Sequence, residues 1–310
     1  MRFLILGAGA LGGYFGGRLI EAGKDATFLV RPARRRQLDA AGLTIESPAF
    51  GNFNGKVRSV TRGEDGGPYD VVLLTCKAYD LDAAIDAIRP AVGPGTAILP
   101  VLNGLAHIDR LAVEFGKERV LGGLARIAAT LTSDGIVRHL NDWRYLTFGE
   151  LNGRLSERVL AIKACFDATS IEAKAVADIR QQMWDKIVHL ATLAQMTTLL
   201  RANVGEIART PGGRDLMLEL LDRNAVIASR AGYPTTPDYL AYLRKLFSDP
   251  TATYEASMLR DVERHGPTEA DHVVGYMLDQ ARTFGLDETL HHISYVALKA
   301  YDERRKAGRF

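Results

Sequence analysis

Four groups of residues in this chain have the types and spacing to do chemistry. Gly7-Ala8-Gly9-Ala10-Leu11-Gly12 follows the apolar run Arg2-Phe3-Leu4-Ile5-Leu6. Gly7 permits a tight strand-to-helix reversal, Gly9 leaves room for backbone to approach a pyrophosphate, and Gly12 lets the next helix pack closely on the strand. The helix N-terminus then presents unpaired N–H groups and the positive end of its dipole, so this loop suits a dinucleotide without needing a basic side chain. Arg31 stands just after a second apolar run, Ala26 to Val30, about where NAD-binding proteins carry an acidic residue for the ribose 2′-hydroxyl. A guanidinium there binds a 2′-phosphate through parallel hydrogen bonds and a carboxylate repels it, so the position points to NADP(H). The stretch Arg31-Pro32-Ala33-Arg34-Arg35-Arg36 also reads as a solvated basic helix start, which leaves open which of Arg34, Arg35 and Arg36 assists Arg31.

The third group lies at strand ends. Lys77 closes the run that begins at Asp70-Val71-Val72-Leu73-Leu74, and Asn103 follows the run Thr96 to Leu102. Both fall at the carboxyl edge of a doubly wound sheet, where such sheets bind ligands. In the fourth group, Lys186 shares a helix face with Met183, Leu190, Leu193 and Ala194. An ammonium in an apolar strip either snorkels to solvent or is held for a purpose. Glu269, at the start of a later helix, can serve as its counter-ion, or is simply a charge favoured by the helix dipole.

These residues need a scaffold, and the remaining sequence describes one. Apolar runs alternate with helical patterns through the first half, which predicts a parallel sheet covered by helices, with a hairpin within 42–59 and a loop at 63–68. Short β runs at Gly135 to Leu140 and Arg144 to Phe148 predict an antiparallel extension of the same sheet. Beyond Ala177 only helical patterns remain, at Asp178 to Ala202, Arg214 to Ala231, Pro237 to Phe247, Glu269 to Phe284 and Glu288 to Glu303. The fold class is therefore α/β of Rossmann type over residues 1–177 followed by an all-α domain over residues 178–310, in keeping with a length of 310 residues.

A composition of 47% apolar and 25% charged residues suits a well-cored soluble protein. A net charge of +2 gives no general attraction to nucleic acid or membrane. No stretch reaches the ~20 apolar residues of a membrane span and no leader pattern is seen, so the expected location is cytoplasmic. Cys76 and Cys165 have no metal-ligand spacing, and each is expected to be a buried thiol.

Four separated motifs make the chain resemble the ketopantoate reductases (2-dehydropantoate 2-reductases) over nearly its whole length. The glycine loop, Lys77 in Thr-Cys-Lys-Ala, Asn103 in Leu-Asn-Gly, Lys186 in Trp-Asp-Lys, and Ser257 and Glu269, twelve residues apart, fall in family order. The resemblance implies a Rossmann domain joined to a helical domain like that of 6-phosphogluconate dehydrogenase, with the active site in the cleft between them. It implies NADPH-dependent reduction of ketopantoate or a close 2-oxo acid, in pantothenate biosynthesis, by a protein that can form a homodimer. Lys186 corresponds to the catalytic lysine and Glu269 to the glutamate that contacts lysine and ligand. Lys77 and Asn103 correspond to cofactor-site residues, Asn103 also touching substrate, and Ser257 to a substrate-binding serine.

The chain departs from the family pattern four and eight residues after the catalytic lysine, where Leu190 and Ala194 replace asparagines. Each missing buried hydrogen bond costs ~1 to 3 kcal/mol, so ketopantoate itself is less well supported than the reductase chemistry. His189 and Thr197 lie on or near that face as candidate substitutes. The competing readings are a dehydrogenase of the same plan acting on another hydroxy or amino acid, and a non-catalytic NADP-binding sensor.

Overall fold

The computed structural model describes residues 1–64 and 66–309, so Asp65 of the expected 63–68 loop lies outside the described residues. The chain forms two compact units, one of Met1–Leu102 with His107–Ile179, the other of Asn103–Ala106 with Arg180–Phe310.

The first unit begins with β1 (Arg2–Leu6), α1 (Ala10–Glu21), β2 (Asp25–Leu29), α2 (Pro32–Ala41), β3 (Leu43–Glu46), β4 (Phe53–Gly55) and β5 (Arg58–Val60). It continues with β6 (Val71–Leu74), α3 (Leu81–Ile88), β7 (Ala97–Pro100), α4 (Ala106–Phe115) and β8 (Leu121–Arg126). The last elements are β9 (Ala129–Leu131), β10 (Val137–His139), β11 (Tyr145–Glu150), α5 (Glu157–Phe166) and β12 (Glu172–Ala175). Five parallel strands form the main sheet in the order β5-β2-β1-β6-β7. Phe3, Leu4 and Ile5 of β1 and all of β6 are buried, as strands covered on both faces must be.

Helix α1 carries four glycines because it is wedged between this sheet and a second one of β4-β3-β10-β9. A Cβ on Gly13 would lie 2.6 Å from Val137, and one on Gly16 2.6 Å from Phe28. The helix trades propensity, about 1 kcal/mol per glycine, for this close approach on two sides.

The expected antiparallel extension of the main sheet is not what forms. The β runs at 135–140 and 144–148 enter two further sheets: β9 and β10 join the β3–β4 hairpin, while β8, β11 and β12 make a three-stranded sheet that also contains a parallel pair. A single bridge, Ile98 to Val120, links β7 to the start of β8. The reason is local. On that edge of β7 the Ile98 N–H donates to the Arg119 carbonyl (2.7 Å), and the next donor in register belongs to Pro100, which has none.

The second unit consists of α6 (Ile179–Leu200), α7 (Val204–Arg209), α8 (Gly213–Arg230), α9 (Pro237–Phe247), α10 (Ser257–Glu263), α11 (Tyr276–Thr283) and α12 (Thr289–Lys306). Helix α6 is buried along most of its length, and its threonines stay satisfied by donating to the carbonyl four residues back. Thr192 reaches Val188 (2.8 Å) and Thr197 reaches Leu193 (2.7 Å). The continuous helix expected over 269–284 opens instead into a wide π-turn at Asp271–Gly275 before α11 begins. The expected buried thiols are both only partly buried: Cys76 sits at the rim beyond β6, and Cys165 lies near the Met1 sulfur at 4.0 Å.

Candidate active site

In the first unit, β1 runs out at Leu6 and the chain reverses at Gly7, whose φ of +93° suits glycine. A Cβ on Gly12 would lie 2.0 Å from the Gly7 carbonyl oxygen, so strand end and helix start can approach only with glycine there. The loop is pinned from both sides: Gly7 N–H donates to the Leu29 carbonyl (2.9 Å) and the Thr75 hydroxyl donates to the Leu6 carbonyl (2.7 Å). Gly9 caps α1 without a side-chain partner for the first-turn amides, and the space in front of it is open. Uncapped amides facing open space, flanked by Ala8, Ala10 and Leu11, fit a dinucleotide pyrophosphate. Thr75 escaped the sequence reading; the signal was a hydroxyl residue ending a strand beside the glycine loop.

Arg31 caps α2 and is largely exposed, with Nη2 3.0 Å from Asp80 Oδ2. Its neighbours in the basic run diverge. Arg34 turns inward: Nε donates to the Ala8 carbonyl of the glycine loop (3.0 Å) and Nη1 to the Gly135 carbonyl (3.0 Å). Burial pulls its guanidinium below the usual arginine range. Arg35 pairs with Glu64 and Asp39, and Arg36 is exposed. Lys77 precedes the short 3₁₀ turn Ala78–Asp80 beyond β6 and is half-buried.

The second unit gathers most of the remaining candidates. Asn103 Nδ2 donates to Glu269 Oε2 at 3.5 Å, and Glu269 is only 5% exposed. Gly104 explains the closeness: with φ of +88° and a virtual Cβ 2.5 Å from the His272 carbonyl oxygen, it lets segment 103–106 press onto the π-turn. Lys186 lies half-buried on α6 beside buried Met183, Leu193 and Ala194, the apolar strip its sequence implied. Ser257 opens α10 and is half-buried.

Of the two candidate substitutes for the missing asparagines, Thr197 is fully buried. Its hydroxyl donates to Leu193 and accepts from the Ala256 N–H (3.4 Å), so it is committed to structure. His189 is half-buried, with Nε2 3.0 Å from the Tyr254 hydroxyl and its ring stacked on that of Tyr254. Leu190 is half-buried and Ala194 fully buried. Among the described residues no group of three or more His, Cys, Asp or Glu is placed to hold a metal ion, and no helix is long and apolar enough to cross a membrane.

A glycine loop at the carboxyl end of the central strand of a parallel sheet defines a dinucleotide-binding unit, here followed by a helical unit in which a half-buried amide meets a buried carboxylate. The model of the family "Ketopantoate reductase PanE/ApbA" matches residues 3–153, and that of its C-terminal region matches residues 178–302. The chain belongs to the ketopantoate reductase family, which is a family of oxidoreductases. An uncharacterized oxidoreductase, YkpB of Bacillus subtilis, is 34% identical over 98% of this chain and 100% of its own length. The crystal structure of 2-dehydropantoate 2-reductase from Geobacter metallireducens, 27% identical, superposes with a TM-score of 0.87 over 97% of this chain and 99% of that one. A structure of D-mandelate dehydrogenase with NADH and anilino(oxo)acetate shares the fold, at 21% identity and a TM-score of 0.86 over 99% of this chain and 100% of the other.

Proposed function

We propose that this protein is an NADPH-dependent reductase that converts a small 2-oxo acid to the 2-hydroxy acid, the substrate being ketopantoate or a relative with a more apolar tail. The observation that carries the reading is the Asn103–Glu269 contact, which unites two of the family's site positions from opposite ends of the chain. The glycine loop with Arg31 beyond β2 supports NADP(H) as the cofactor, with Gly7 to Gly12 on the pyrophosphate, Arg31 on the 2′-phosphate, and Lys77 and Asn103 near the nicotinamide.

When bound, the nicotinamide supplies the hydride to the keto carbon. As negative charge grows on the keto oxygen, the Lys186 ammonium stabilises it and delivers the proton. Proton transfer of this kind contributes ~10² to 10⁴ in rate. Glu269 orients Lys186 and touches substrate, and Ser257 binds the carboxylate end. A second reading, a dehydrogenase for a different hydroxy acid, draws support from Leu190 and Ala194, whose apolar side chains replace the amides that read a hydroxylated tail.

The test is the loss of NADPH absorbance at 340 nm with a panel of 2-oxo acids, in wild type and Lys186→Ala. The variant should keep its NADPH affinity while kcat falls by ~10² or more, because the ammonium acts on charge present mainly in the transition state. Wild-type turnover in a folded Lys186→Ala protein removes the lysine from its role.

A further inference from the structure

We propose that Asp80 is a specificity-determining residue for the dinucleotide, competing with the 2′-phosphate for Arg31 and offering its carboxylate to a 2′-hydroxyl when the phosphate is absent. The inference rests on the cofactor reading above and adds to it a residue from another strand.

The strand order makes the argument. β2 and β6 pair with β1 on opposite sides, so their carboxyl ends stand about 10 Å apart with the start of the glycine loop between them. Arg31 lies just beyond β2 and Asp80 just beyond β6, and their 3.0 Å ion pair therefore spans the end of β1 where Leu6 runs into Gly7. Both backbones are fixed. Arg31 caps α2 with Pro32 at its first position, and Asp80 closes a 3₁₀ turn through its N–H on the Lys77 carbonyl (2.9 Å). The charges are thus held facing each other at the place where the adenosine ribose of a dinucleotide on this loop belongs.

That placement changes what Arg31 alone implies. Arginine and aspartate together are neutral, so a 2′-phosphate must draw the guanidinium away from Asp80 and then tolerate a nearby carboxylate. A 2′-hydroxyl meets no repulsion and can donate to that carboxylate. The acidic group that NAD-binding proteins carry beyond the second strand is here delivered from the end of β6 instead. Preference for NADP(H) should accordingly be narrower than Arg31 by itself would give.

Because Arg31 is 79% and Asp80 37% exposed, the effect belongs to the modest range of solvent-exposed pairs and should be screened by salt. The experiment is calorimetric titration of the full-length protein with NADP⁺ and NAD⁺, for wild type, Asp80→Asn, Asp80→Ser and Arg31→Ala, at low and high salt. Thermal midpoints establish that each variant is folded, and the serine variant stands in if the asparagine one is not. Removing the carboxylate should raise the ratio of NADP⁺ to NAD⁺ affinity by about two- to fivefold at low salt and by less at high salt, whereas Arg31→Ala should lower it. An unchanged or lower ratio in both Asp80 variants, including an equal change in both affinities, overturns the proposal while leaving the cofactor reading intact. Failure of wild type to bind either dinucleotide overturns both.

Discussion

Asn103 donates through Nδ2 to Oε2 of Glu269 across 3.5 Å, although 166 residues separate them. The bond is long, but the carboxylate it serves is buried, and a buried carboxylate left short of donors is costly. The two side chains should therefore act as a unit. Asn103→Ala and Glu269→Gln are each expected to lower kcat/KM by about tenfold or more, and the double variant by clearly less than the product. Full additivity in that cycle would show that the contact carries no function.

The glycine loop could be read from sequence because its chemistry is backbone chemistry: the order of glycines fixes the turn, and the apolar run before it fixes the strand. The position of Arg31 just beyond a strand was legible too, because the apolar run before it fixes where that strand ends. Its pairing with Asp80 was not, since that depends on β2 and β6 flanking β1, a fact of strand order. Arg34 looked like its neighbours and proved to be the one that turns inward to Ala8. The π-turn after Glu269 was hidden because its composition suits an ordinary helix, and the separation of the sheets because the one missing N–H, at Pro100, matters only on the edge facing β8.

Arg34 yields a prediction distinct from that for Arg31. Its bond to the Ala8 carbonyl ties it to the glycine loop, and a second reaches the Gly135 carbonyl. Arg34→Ala should weaken NADP⁺ and NAD⁺ alike, by about tenfold, in line with the loss of a charge-assisted hydrogen bond to the loop. Arg31→Ala should weaken NADP⁺ by ~10- to 100-fold and leave NAD⁺ nearly unchanged. Selective loss of NADP⁺ in the Arg34 variant would instead place that side chain on the phosphate.

His291 makes the stability of the helical unit dependent on pH. Its Nε2 donates to Asn224 Oδ1 (2.9 Å), Asn224 Nδ2 donates to the Thr192 hydroxyl (2.9 Å), and Thr192 donates onward to Val188. The ring is fully buried with no partner for Nδ1, and burial first, then the Arg223 charge, pushes its pKa down to about 4. The folded state thus holds His291 neutral where the unfolded chain takes up a proton. The stability contributed is complete above about pH 6.5 and is lost as pH falls toward 4, by roughly 3 kcal/mol at most. Thermal midpoints between pH 7.5 and 4.5 should fall more steeply for wild type than for His291→Gln. Parallel slopes would assign the acid sensitivity to other groups.

The last prediction concerns the tail of the substrate. Leu190 lies one turn beyond Lys186, about 40° around α6, and is half-buried, so it can border the substrate. Ala194 is fully buried, and Thr197 has its hydroxyl committed to Leu193 and Ala256. The positions four and eight residues beyond Lys186 on α6 are therefore apolar, and of the two polar substitutes Thr197 is committed to the helix backbone, whereas His189 meets Tyr254. Against such side chains a buried methylene gains ~0.8 kcal/mol and an unpaired hydroxyl costs ~1 to 3, so alkyl-tailed 2-oxo acids should outcompete hydroxylated ones of similar size. Leu190→Asn should shift the ratio of kcat/KM toward ketopantoate over its deoxy analogue by about tenfold, and His189→Phe should leave the wild-type preference unchanged. Ala194→Asn is a poor companion, because added bulk at a fully packed site costs ~1 to 3 kcal/mol of stability. A wild-type preference for ketopantoate that Leu190→Asn does not alter would show that this helix face does not read the tail.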